Sequence, residues 1–111
     1  MHTNELLYVL MEFSDLKVET TASGKLSLFI TKDVGFHSFP RIAKEFLKLV
    51  GGIKIFSVDA PDIRMWIVLV KFRPFYLAYD DFPQGLSLDP MRGSSDKVVR
   101  QLFEQFNAND I

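Results

Sequence analysis

A chain of 111 residues with 13 basic and 14 acidic side chains has a formal charge of -1, which removes the electrostatic drive behind general binding to nucleic acid or anionic membranes. It contains no cysteine, so a disulfide framework, a thiolate metal site and cysteine catalysis are excluded. The length suits a single domain, residues 1–111, around one core, and 48% hydrophobic residues with 11 phenylalanines leave a large apolar load for so small a core to hide.

Along the chain, Met1 to Lys17 holds an apolar run with no basic lead and no small-residue cleavage site, so it is expected to belong to the fold rather than to a signal peptide. No apolar run approaches the roughly 20 residues of a membrane span. A cytoplasmic protein with no membrane role is the expectation. Leu6 to Phe13 has both helical and extended spacing, and Tyr8, Val9 and Phe13 favour an extended reading. Leu16 to Thr20 alternates apolar with charged residues, and Ala22-Ser23-Gly24 turns the chain into Leu26 to Ile30, a hairpin.

From Phe39 the period changes. Phe39, Ile42, Ala43, Phe46, Leu49 and Val50 fall on one helical face, with Ser38 as cap, Pro40 in the first turn and Gly51-Gly52 as the stop. Arg41, Lys44, Glu45 and Lys48 form the outer face; Glu45 interrupts what would be a basic stripe for RNA, so the face reads as plain solvated surface and nucleic-acid binding is not expected. Ile53 to Val58 returns to strand, and Asp59-Ala60-Pro61-Asp62 is a turn.

Met65 to Phe72 is apolar on both alternating faces, the pattern of a central strand covered above and below. Past Arg73-Pro74, the residues Phe75, Leu77 and Tyr79 alternate with Tyr76, Ala78 and Asp80, and a turn at Asp81 to Gly85 leads to Leu86 and Leu88. Asp96 or a neighbouring serine is expected to cap a last helix that buries Val98, Val99, Leu102, Phe103 and Phe106. The order predicts an α+β domain: a mostly antiparallel sheet of five to seven strands with two helices on one face. Two helices about 10 Å wide cannot roof six strands about 4.8 Å apart. A second copy in a homodimer, the amino-terminal segment or a partner protein is left to cover the other face.

In a meander, alternate turns share one end of the sheet. Asp59, Asp62, Asp80 and Asp81 are therefore expected together around Phe82, with Lys54, Lys71 and Arg73 at the opposite end. These carboxylates are simple turn residues, or an acidic surface around an aromatic anchor for a basic protein partner, or ligands of a hard cation in a metal-dependent hydrolase, for which the spacing of a calcium loop is missing. With His2 and His37 the only histidines, a histidine metal cage or Ser-His-Asp triad has little to build on. No nucleotide-binding glycine motif occurs, and no cofactor is called for.

Taken together, D-x-x-x-W-I-V-x-V, then F-Y-L-A-Y-D-D-F-P and G-L-S-L-D, from Phe39 to Phe106 in order of elements, resemble small bacterial α+β domains of unknown function. Asp62, Trp66, Tyr79, Asp80 and Asp81 match their pattern, while Ser87 stands where some of them place tryptophan. A looser similarity is to immunity proteins that neutralise polymorphic toxins, which implies a protein partner rather than an activity.

Overall fold

The computed structural model describes residues 13, 15–61, 63–81, 83–91 and 96–108; the expected extended segment Leu6 to Phe13 lies outside them except for Phe13 itself. Among the described residues six strands and two helices follow in order: β1 Lys17–Thr20, β2 Leu26–Thr31, α1 Phe39–Val50, β3 Ile53–Asp59, β4 Ile63–Val70, β5 Arg73–Asp81, β6 Gln84–Pro90 and α2 Asp96–Ala108. The strands form one sheet in the order β1-β2-β6-β5-β4-β3, antiparallel at every step. This is the α+β architecture that the periodicities predict.

Local chemistry explains the joints. Gly24 has φ 87°, a left-handed turn conformation that glycine adopts without penalty. Thr21 ties the same turn by donating its hydroxyl to the Lys25 carbonyl at 2.9 Å. Ser38 stands at the N-cap of α1 without capping it; its hydroxyl instead accepts the Gly35 N–H at 2.8 Å, bracing the turn before the helix. Gly51 at φ 69° ends α1, and the Gly52 N–H closes it on the Leu47 carbonyl at 2.8 Å. A Cβ on Gly52 would stand 2.7 Å from Leu47 Cδ2 and 3.1 Å from the Leu69 carbonyl oxygen, so α1 passes into β3 where only glycine fits against β4.

The core lies between the sheet and the helices. Leu28, Ile30, Phe39, Phe46, Val68, Val70, Phe75, Leu77, Leu86, Leu88 and Leu102 are fully buried there. Phe46 of α1 and Phe106 of α2 lie nearly parallel with centroids 6.1 Å apart, and Phe13 meets both edge-on. α1, α2 and the segment before β1 thus share one aromatic cluster on the same side of the sheet.

Asp96, expected as a helix cap, reaches elsewhere: its Oδ1 accepts the Leu26 N–H at 2.9 Å, fastening the start of α2 to the start of β2. Ser94 and Ser95 lie outside the described residues. A partly buried hydrogen bond to a charged acceptor contributes about 1.5 kcal/mol. Asp96→Ala is expected to lower stability in urea unfolding by about that amount, and Asp96→Asn, which keeps a carbonyl acceptor, to recover most of it.

The expected place of β4 is corrected as well. β4 is not central: β5 and β6 occupy the middle and β4 stands next to the edge strand β3. Trp66, Val68 and Val70 on its helix side are buried, whereas Ile63 is exposed and Met65, Ile67 and Leu69 are half-buried. The apolar residues on the second face of β4 therefore belong to a sheet face that the helices leave open.

Candidate functional site

Antiparallel register sorts side chains by face, because residues directly opposite each other project the same way. On the open face one row reads Phe56, Ile67, Tyr76 and Asp89 from β3 to β6, and the Ser27–Glu19 pair of β2 and β1 continues it. The next row reads Val58, Met65, Ala78, Ser87, Phe29 and Lys17. A third holds Ile63, Asp80 and Gly85. The first two rows start apolar at β3 and end in a charged residue on β1, and the third passes from Ile63 to Asp80.

The polar end is a cleft of about 260 Å³ lined by Glu19, Thr20, Thr21, Ser27, Phe29, Asp80, Pro83, Gly85, Ser87 and Asp89. Three of these are carboxylates and none is basic. Asp89 is held by both oxygens: Ser27 Oγ donates to Oδ1 at 2.5 Å and Ser87 Oγ donates to Oδ2 at 3.2 Å. Ser27 is buried beneath it. Gly85 leaves room for the Phe29 ring, whose Cε1 would be 2.5 Å from a Cβ at that position. Lys17 Nζ lies 3.6 Å from Glu19 Oε2 and 5.2 Å from the centroid of the Phe29 ring.

The expected acidic residues divide between the two faces. Ile63 at the start of β4 lies opposite Asp80 near the end of β5, so the β3–β4 and β5–β6 turns are neighbours, as a meander requires. Asp80 belongs to the open face and lines the cleft. Asp59 pairs in register with Arg64 on the helix side, and Arg64 Nε lies 3.3 Å from its carboxylate. That guanidinium also donates to the Phe36 carbonyl at 2.9 Å and sits 4.8 Å from the centroid of the Phe36 ring, so Asp59 is balanced by a fixed cation. Asp81 is exposed opposite Gln84, one residue out of step with Asp80. Asp62 and Phe82 lie outside the described residues.

Sequence reasoning missed Glu19, Ser27, Ser87 and Asp89. The alternation of β6 does place Gly85, Ser87 and Asp89 on one face, a polar stripe visible in the sequence. What was hidden is that β6 pairs with β2 across more than 50 residues, which brings Ser27 and Glu19 beside that stripe. Among the described residues no group of three His, Cys, Asp or Glu side chains is placed to hold a metal ion. Among the described residues, too, no helix is long and apolar enough to cross a membrane. No family model, curated protein or solved structure matches the chain.

Proposed function

We propose that the protein is a non-enzymatic interaction module of the cytoplasm, binding a protein partner with a basic, partly apolar surface through the acidic end of its sheet. The observation that carries this reading is the graded open face: an exposed apolar strip on β3 and β4 runs into a cleft that has three carboxylates and no basic residue in its lining. Apolar strip and acidic cleft together suit a partner that offers apolar anchors for burial and cations for register. The looser similarity of the strand motifs to immunity proteins is in keeping with a toxin domain as such a partner, and that identity is part of the proposal. A metal-dependent hydrolase built on the aspartates lacks a ligand set among the described residues. An RNA-binding role for α1 is weakened by the Arg41–Glu45 ion pair at 3.1 Å.

The test is affinity purification with quantitative mass spectrometry, comparing the native chain with Asp80→Lys/Asp81→Lys and, separately, Phe56→Glu. Each variant is expected to retain its circular dichroism and to lower capture of a basic partner at least tenfold, a loss of about 1.4 kcal/mol. Capture at the native level by the charge-reversed double variant would remove the acidic end from the binding surface.

A further inference from the structure

We propose that the protein self-associates through β3, two copies joining their six-stranded sheets edge to edge about a two-fold axis. The two edges of the sheet are unlike. β1 is four residues long and carries the Lys17–Glu19 ion pair, a short, charged edge of the kind that resists strand addition. β3 is seven residues long with every residue exposed, and it presents Ile53 at 61%, Ile55 at 49%, Phe56 at 51% and Val58 at 38% exposure. Among the described residues no other strand faces its outward N–H and C=O groups. Lysine is the usual guard of such an edge, but the Lys54 ammonium is drawn over the Trp66 ring, 4.4 Å from its centroid.

A second copy fits this edge because β3 is complementary to itself. Antiparallel pairing centred on Ser57 sets Phe56 opposite Val58 of the partner subunit, twice, on the open face. Because the β1 edge is blunted, pairing closes at two copies rather than running on into a filament. The exposed parts of Ile53, Ile55, Phe56 and Val58 along the seam amount to roughly 370 Å², on a scale of about 150–250 Å² for a large side chain. Edge-to-edge pairing covers these side chains only from the seam side, so each copy buries less than the about 800 Å² of a standard interface and the association is a weak one. The use of such a dimer rests on the interaction reading above, since it joins two apolar strips into one band flanked by two acidic clefts; its formation needs no other protein.

Sedimentation equilibrium of the full chain, from about 1 to 300 μM, is expected to show a mass rising from 12.8 kDa toward twice that value. Val58→Lys is expected to weaken the association at least tenfold with circular dichroism unchanged. The chain has no cysteine of its own, and residues directly opposed across an antiparallel pair have Cα atoms about 4.5–5.5 Å apart, within disulfide reach. Ser57→Cys should therefore cross-link into a covalent dimer under mild oxidation, while Lys17→Cys on β1 should not. A single-chain mass at the highest concentration, or equal cross-linking at the two positions, overturns the proposal. Partner capture is scored separately: a monomer that still captures its partner removes the dimer alone, and a dimer that captures nothing removes the interaction reading alone.

Discussion

Phe46→Ala is expected to lower the unfolding free energy by about 4 kcal/mol, the largest effect of any single change considered, because it combines lost transfer energy with an unfilled cavity. Phe46 is fully buried, and its ring is the meeting point of Phe13 and Phe106. Removing it therefore unseats the contact between α1 and α2 and the anchor of the segment before β1 in one step. Against a total stability of about 5–15 kcal/mol for a domain, that loss leaves a marginal protein. Urea unfolding should show a lower midpoint at an unchanged slope, and Phe46→Leu, which fills more of the space, should lose less than half as much. A loss below about 1 kcal/mol in Phe46→Ala would mean that the three rings are not the joint holding the helices together.

Lys71→Asn combined with Phe72→Gly is expected to act in the opposite direction, raising stability by about 2 kcal/mol. The β4–β5 hairpin turns through Lys71 at φ 51° and Phe72 at φ 67°. Both are left-handed conformations that disfavour a residue with a Cβ by about 1–2 kcal/mol each. Asn-Gly is the pair such two-residue turns prefer, although the glycine adds freedom to the unfolded chain and offsets part of the gain. Phe72 is 96% exposed, so removing its ring sacrifices almost no burial. The gain should appear as a rise of roughly 8 °C in Tm, at about 4 °C or more per kcal/mol for a small domain. An unchanged Tm would show that the turn relaxes its dihedrals once the tight pair is absent.

The two variants also mark how differently readable the parts of this chain are. The face that Phe46 occupies follows from the spacing Phe39, Ile42, Ala43, Phe46, and the helix confirms it. The stop at Gly51-Gly52, the β1–β2 hairpin and the meander from β3 to β6 were likewise legible, because each depends on neighbours within a few residues. The strained turn was not: Lys71 and Phe72 carry no turn signal, and it is the pairing of Val70 with Arg73 that forces them into left-handed backbone. Of the acidic residues, Asp59, Asp80 and Asp81 do come to one end of the sheet, as the zigzag predicts, but a one-residue step decides the face. Asp80 enters the cleft while Asp59 is matched by Arg64.

The sequence by itself therefore determined the element types, the α+β class, the antiparallel meander and, among the described residues, the imbalance between two helices and six strands. Each follows from local periodicity and turn chemistry. Only the tertiary structure decided that β6 pairs with β2, moving β4 from the expected centre to a place beside the edge. Strand order is a contest between long-range pairings, and no residue pattern within one strand encodes which other strand lies beside it. From that order come both the apolar strip at β3 and the acidic cleft at β6 and β1, the surface on which the proposed function stands.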